Sequence, residues 1–223
     1  MKKVKFIVFI CLFILLPLAY FNGFIRISDL TSEQESIAKK YGGVYVFDEK
    51  LEKEIDKREE ERRIMTKGLN GKKLAENRYA VDMTPVNEKL PRVLSNGKRY
   101  YLRWVDYENE TRKKIKTPQI YKNKIKEFIG NEDYEKFKPS YDLGYFYIDD
   151  NDEVRVIDLS LDYYVVETTY TLSGDEASGI KFTKNRYINV AGDNYFYLID
   201  NKFQKINRKN KWILLKIYPT KIW

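Results

Sequence analysis

The sequence predicts an α+β protein with an N-terminal transmembrane helix, short charged helices, and then a β-rich domain built as an antiparallel meander or sandwich. Three observations predict this class. A long apolar run follows a lysine-rich start, the next fifty residues or so combine helix caps with dense charge, and the remainder alternates period-two segments with Asn, Asp and Gly turns. We therefore expect a cytoplasmic tail over 1–5, a transmembrane signal-anchor helix over 6–25, a helical, highly charged segment over 26–75, and a β-rich extracytoplasmic domain over 76–223 with one helical insertion near 118–137.

The apolar run extends from Phe6 to Ile25 and is broken only by Pro17, Asn22 and Gly23. At a rise of about 1.5 Å per residue, a helix over this run is about 30 Å long, which matches the hydrocarbon core of a bilayer. The side chains that we assign to this membrane anchor include Phe6, Ile10, Phe13, Leu16 and Phe21.

The charges around the run predict its orientation. Lys2, Lys3 and Lys5 precede it, whereas Arg26 is the basic residue that follows it closely. The positive-inside rule then leaves the N-terminus in the cytoplasm and the C-terminal domain in the periplasm or extracellular space. The run is longer than the roughly 7–15 residues of a signal-peptide core and lacks a small-residue cleavage site, so the sequence favours an uncleaved single-pass anchor in the inner (plasma) membrane, with a removed signal as the alternative.

Two helices are predicted after the anchor. Thr31 and Gln34 have the spacing of a capping box, which begins the first helix. Asp48 is placed to cap the second helix, in which 15 of the 20 residues from Asp48 to Lys67 are charged. A coiled-coil seam on this helix fails because Arg58 and Arg62 stand where apolar residues are needed, so we expect a solvated helix.

Strands dominate the rest of the chain. Pro118, Gly130 and Asn131 mark the start, end and restart of the helical insertion. The tetrapeptide Tyr145–Ile148 recurs in similar form as Tyr195–Leu198, which predicts two similar hairpins in one sheet or sandwich. The predicted strands are Val44–Phe47, Arg99–Val105, Tyr145–Ile148, Val154–Ile157, Tyr163–Leu172, Ile180–Val190, Tyr195–Ile199, Phe203–Ile206 and Trp212–Tyr218.

The composition narrows the available chemistry. The chain has no histidine and a single cysteine, Cys11, so it holds no Ser-His-Asp or Cys-His machinery and no imidazole or thiolate zinc site. We expect no cofactor, no metal and no enzymatic activity. Among enzymes, a hydrolase that uses two carboxylates stays open, because the chain has 33 acidic residues and glycoside cleavage requires no histidine.

The net charge of +8 is concentrated at the two ends of the chain. Seven basic residues and no acidic ones lie in 201–223, interleaved with aromatic residues. Since the domain is expected outside the cytoplasm, we expect a protein or an anionic envelope partner there, and no nucleic acid. The candidate partner-binding residues are Lys205, Arg208, Lys209, Lys211, Trp212, Tyr195 and Tyr197.

These observations predict a membrane-anchored binding or accessory protein of a bacterial envelope. The alternatives are an immunity-type protein that occludes a toxin and the carboxylate-dependent envelope hydrolase. Strand tyrosines are numerous enough to predict an aromatic binding face as well as sheet packing.

Overall fold

The computed structural model describes residues 2–75, 78–175, 177 and 179–207. It confirms a chain of mixed helix and sheet, with an apolar N-terminal helix and several sheets. The helices in this part of the chain are α1 (Lys2–Ile10), a π-helical segment (Cys11–Leu15), α2 (Leu16–Phe21), α3 (Ser32–Tyr41), α4 (Glu49–Lys67), α5 (Thr84–Lys89), α6 (Trp104–Thr111), α7 (Gln119–Ile129) and α8 (Asn131–Lys136). The strands are β1 (Ile25–Ser28), β2 (Gly43–Val46), β3 (Lys72–Ala75), β4 (Arg78–Ala80), β5 (Tyr100–Tyr101), β6 (Ser140–Leu143), β7 (Phe146–Ile148), β8 (Val154–Val156), β9 (Asp158–Asp162), β10 (Tyr164–Asp175), β11 (Gly179–Asn189), β12 (Asn194–Ile199) and β13 (Lys202–Ile206).

The N-terminal helix is long and apolar enough to cross a membrane over Lys3–Phe21, and none of that window is buried against the protein. Its π-helical segment precedes Pro17, which has no backbone N–H to donate to the carbonyl of Phe13. The wider turn closes through a bond from the Leu16 N–H to the Cys11 carbonyl. A π turn next to proline is a common way for a helix to absorb that lost bond.

The central sheet has five strands in the order β13-β12-β2-β9-β6. It differs from the expected antiparallel meander because β2 and β12 are parallel neighbours, with Gly43 opposite Asn194. These two strands lie about 150 residues apart in the chain, so no local turn signal announces their pairing. Gly43 is required there because its φ of +141° favours glycine and because an added Cβ would meet the Asn194 carbonyl at 2.1 Å.

Helices cover both faces of this sheet. On one face the rings of Tyr45 and Phe196 stack at 4.7 Å, and Phe128 of α7 lies over both, at 6.1 Å and 5.3 Å. On the other face α4 approaches, where the Tyr197 hydroxyl donates to the Glu52 carboxylate at 3.3 Å. The residues of β2 and β12 on that second face form a buried cluster of Val44, Val46, Tyr195 and Tyr197.

The predicted caps of α3 and α4 are confirmed, but α4 is not fully solvated. The capping box of Thr31 and Gln34 is complete, and the Asp48 side chain accepts from the Leu51 N–H. Arg62, expected on a solvated face, is 4 % exposed and donates to the Asn87 side chain at 2.7 Å. The guanidinium therefore binds α5 to α4. It does so from a position where a coiled-coil seam would need an apolar residue.

The predicted strand over Arg99–Val105 is mostly wrong. Only Tyr100 and Tyr101 are in a strand, and α6 begins at Trp104. The repeated tetrapeptide lies in two different sheets, since β7 belongs to the sheet β5-β7-β8 and β12 to the central sheet. Each copy does begin an antiparallel hairpin, β7 with β8 and β12 with β13.

A long hairpin extends from the core towards the N-terminal helix. Strands β10 and β11 contain 12 and 11 residues and pair antiparallel, and β1 adds to the outer edge of β10. Val165 near the base is buried at 6 % exposure, whereas β11 is exposed along nearly its whole length. Burial thus holds the base of the hairpin on the core and leaves its outer part projecting.

Candidate binding cleft

A cleft lies where β2 ends. The Phe47 N–H donates to the Ile157 carbonyl at 2.8 Å, and the chain then turns away at Asp48 to begin α4. Because β2 ends here, the space alongside β8 is open and forms a cleft of about 690 Å³. Its volume is within the range of about 300–1,000 Å³ that is typical of ligand pockets. We call it the β8 cleft; it is lined by Phe47, Asp48, Leu51, Pro118, Ile120, Tyr121, Lys124, Tyr147, Glu153, Val154, Arg155, Val156, Ile157 and Leu198.

One side of the β8 cleft is a strand edge. On its inner side β8 pairs with β7, with Arg155 opposite Tyr147. The Glu153 carbonyl and the Ile157 N–H also point to that inner side, where they bond Asp149 and Tyr145. Since backbone groups alternate along a strand, the N–H and C=O groups of Val154 and Val156 point outward into the cleft. Among the described residues no strand pairs with this edge.

The opposite wall is apolar and aromatic. Phe47 packs edge-on against Tyr121 at 4.8 Å and against Phe203 at 5.4 Å, so the core holds its ring in place. Ile120, at the start of α7, is 64 % exposed at the mouth of the cleft. Exposed apolar surface of this kind gains roughly 25 cal/mol for each Å² that a ligand covers.

The rim of the cleft carries charge of both signs. Arg155 forms ion pairs with Asp149 at 2.7 Å and with Glu153 at 3.0 Å, and these partners raise the pKa of its guanidinium. Lys124 donates to the Asn201 side chain at 2.9 Å. Exposed ion pairs of this kind contribute about 0–1 kcal/mol each.

A smaller cleft of about 280 Å³ lies along β6 and is lined in part by Trp104, Glu108, Ile115 and Asp142. The Trp104 ring is 40 % exposed, and its Nε1–H donates to the Asp142 carboxylate at 3.1 Å. Burial, and to a smaller extent the charge of Asp162, raise the pKa of Asp142 above its ordinary value of 3.8. We call this surface the Trp104 cleft.

Asp142 and Asp162 share one face of the sheet. Asp142 lies opposite Ser160 and Asp162 opposite Ser140, so the two acids are diagonal neighbours on adjacent strands. Such neighbours stand about 7–8 Å apart. The Asn189 side chain donates to Asp162 at 2.6 Å. Glycoside cleavage uses two carboxyl groups that flank the scissile bond, and the one that acts as the acid has a raised pKa.

Three of the predicted partner-binding residues lie in the described part of the chain, and they differ in exposure. Tyr195 and Tyr197 are 4 % and 2 % exposed, so they pack under α4 and offer no surface to a partner. Lys205 is exposed on β13, an edge strand of the central sheet. The remaining candidates lie outside the described residues: Arg208, Lys209, Lys211 and Trp212.

Three other tyrosines of the predicted strands are buried like Tyr195 and Tyr197, and two are exposed. Tyr100, Tyr101 and Tyr163 are buried, whereas Tyr164 and Tyr187 on the long hairpin are 45 % and 77 % exposed. The strand tyrosines therefore serve mainly in packing. No local pattern in the sequence indicates the β8 cleft, because a strand becomes an edge only through the tertiary arrangement.

The predicted anchor residues lie on the unburied N-terminal helix. Four of them are about half exposed or more, and Ile10 is intermediate: Phe6 64 %, Phe13 66 %, Leu16 48 % and Phe21 56 %. A core helix of the same composition would be mostly buried.

Comparison of the chain with protein-family models, with curated proteins and with solved structures finds no match.

Proposed function

We propose that the chain is a single-pass, membrane-anchored binding module that acts outside the cytoplasm and takes an extended segment of a partner protein into the β8 cleft. The observation that carries this proposal is the combination of a strand edge, to which no strand in the described part of the chain pairs, with an apolar wall across a cleft of about 690 Å³. An extended peptide adds to such an edge through backbone hydrogen bonds, while alternate side chains enter the apolar pocket.

Retention of the anchor is supported by contacts at its C-terminal end. The Thr171 hydroxyl donates to the Phe21 carbonyl at 3.3 Å, and the Tyr20 hydroxyl donates to the Phe182 carbonyl at 3.1 Å. Strand β1, which starts three residues after the helix, is part of the sheet with β10. A cleavage near Asn22 would remove partners that the folded domain uses.

Site-specific photocrosslinking in cells tests the binding proposal. A benzophenone amino acid at Ile120 should capture a protein, whereas the same group at Ile64 should not. Both side chains are exposed isoleucines on helices, at 64 % and 59 %. Ile64 is the matched control because it lies about 20 Å along α4 from Leu51, the residue of that helix that lines the cleft.

Backbone variants make the test specific to strand addition. Val154→Pro removes an outward N–H without breaking a bond to β7, since proline is tolerated on the open side of an edge strand. Val154→Thr keeps both the branched shape and the N–H. Crosslinking from Ile120 should fall sharply in Val154→Pro and persist in Val154→Thr. Equal capture by both variants would contradict the proposal. A captured toxin would assign the module to immunity, and a captured assembly factor to an accessory role.

A second candidate function is cleavage of an envelope glycan at the Trp104 cleft. Its support is the diagonal pair of Asp142 and Asp162 beside an exposed indole, since aromatic rings bind sugar faces. Release of reducing ends from an envelope polysaccharide should then be lost in both Asp142→Asn and Asp162→Asn and retained in Asp152→Asn, a control in the exposed turn before β8. No release by the unaltered chain would end this candidate.

A further inference from the structure

The outer part of the β10–β11 hairpin exposes more apolar surface than its packing explains. Leu172, Ile180 and Phe182 are 46 %, 72 % and 60 % exposed, and Phe24, just after the anchor, is 76 % exposed. These side chains gather at the end of the hairpin that is remote from the core. Contiguous exposed apolar residues mark a surface that another body covers.

The end of the N-terminal helix fixes where this surface lies. Besides the hydroxyl bonds from Tyr20 and Thr171, Gly23 packs closely against β10, because a Cβ added there would be 3.3 Å from the Thr169 methyl group. The ring of Tyr20 lies 6.5 Å from that of Tyr170. The middle of the hairpin is therefore level with the residues at which the chain leaves the apolar helix.

The register of β1 gives the direction of the hairpin. Ser28 lies opposite Glu167 and Ile25 opposite Tyr170, so the path from β1 back towards the helix runs alongside β10 towards its turn. From Thr171 to Gly174 a strand advances about 10 Å. The polar headgroup layer on one side of a bilayer is about 5–8 Å thick. The end of the hairpin is thus long enough to reach that layer from the level of the helix end.

The charges of the hairpin fit the same environment. Lys181 and Lys184 are exposed among the apolar residues of β11, where they suit anionic lipid phosphates.

We propose that the end of the β10–β11 hairpin is a second membrane contact: Leu172, Ile180 and Phe182 seat in the outer headgroup layer while Lys181 and Lys184 bind lipid phosphates. This inference rests on the proposed anchorage, because the anchor brings the hairpin to the bilayer. The contact restricts the orientation of the domain on the membrane, since the hairpin and the end of the helix are then held at the same surface.

Environment-sensitive fluorophores on the full chain test this inference. The background is Cys11→Ser, and the labelled positions are Ile180→Cys, Phe182→Cys, Ile64→Cys as the matched exposed control, and Phe13→Cys within the anchor. The chain is placed in nanodiscs of phosphatidylcholine and phosphatidylglycerol that carry a nitroxide on the headgroup. We expect the labels at 180 and 182 to emit at shorter wavelength and to be quenched several-fold more than the label at 64.

Each result decides one claim. Quenching at 180 and 182 that matches position 64, with a membrane-embedded label at 13, overturns the hairpin contact but leaves the anchorage intact, and it assigns the apolar end to a protein partner. A label at 13 in an aqueous environment overturns the anchorage and the hairpin contact together. Replacing Lys181 and Lys184 with Gln should reduce the quenching when phosphatidylglycerol is present and have no effect in its absence; an unchanged signal would remove the lysines from the contact.

Discussion

Replacing Arg62 with alanine should destabilise the domain by about 3–5 kcal/mol. The side chain is 4 % exposed and donates to the Leu90 carbonyl and to the Asn87 side chain, with a longer contact to the Val86 carbonyl at 3.5 Å. Each acceptor that is left buried without a donor costs about 1–3 kcal/mol. Glu59, which lies 3.5 Å from the Arg62 Nε, keeps its hydrogen bonds from Arg92 and Tyr100, so the cost comes mainly from the two acceptors on α5 and after it.

The assay is urea unfolding of the full chain in detergent micelles, followed by near-ultraviolet circular dichroism. Arg58→Ala is the control, because Arg58 lies one turn earlier on α4 and its side chain is 35 % exposed against 22 % for its partner Glu54. That substitution should cost less than about 1 kcal/mol. Equal losses for the two variants would show that the buried guanidinium does not hold α5 to α4, and the argument from burial would fail.

Three further predictions concern the anchor joint, the Trp104 cleft and the second face of the sheet. Gly23→Ala should lower the free energy of unfolding by about 1–2 kcal/mol, because Gly23 has a φ of +69° and alanine is strained there. Asp142→Asn should raise the melting temperature at pH 7. The raised pKa means that the folded state binds this proton more tightly than the unfolded chain does, so the penalty applies above that pKa and fades as the pH falls towards 3.8. Tyr197→Phe should cost about 1–2 kcal/mol by removing a buried hydrogen bond to Glu52, without changing capture from Ile120.

Each of these predictions has an opposing result. An unchanged stability in Gly23→Ala would mean that alanine is not strained at the φ of Gly23. A gain in Asp142→Asn that is equal at pH 7 and pH 4 would exclude titration of this carboxyl as its cause. Loss of partner capture in Tyr197→Phe at unchanged stability would show that the Tyr197 hydroxyl contributes to partner binding.

Features that depend on neighbours in sequence were predictable. The capping box of Thr31 and Gln34 and the cap at Asp48 need only a few residues, and both are confirmed. Arg99–Val105 shows where local pattern fails. Its alternation extends over seven residues, which is too short to distinguish a strand from an approach to a helix. The helix begins at Trp104, where the Asp106 N–H donates to the Arg103 carbonyl at 3.1 Å.

The candidate sites depend on tertiary arrangement, which the sequence does not encode locally. Val154 and Val156 read as an ordinary short strand, and their open edge exists only because β2 turns away at Asp48. Asp142 and Asp162 become neighbours through the pairing of β6 with β9. Among 33 acidic residues, spacing alone selects neither.

The connection between the apolar helix and the domain is three residues long, from Asn22 to Phe24, before β1 begins. A segment of that length extends at most about 10 Å, so it is too short to let the domain move far from the end of the helix. Under the proposed anchorage, the β8 cleft samples a thin layer next to the membrane. A partner that is itself membrane-bound meets the cleft at a raised effective concentration, and a freely diffusing partner has no such advantage. Strand addition of low intrinsic affinity is then sufficient for binding when both proteins are anchored in the same membrane.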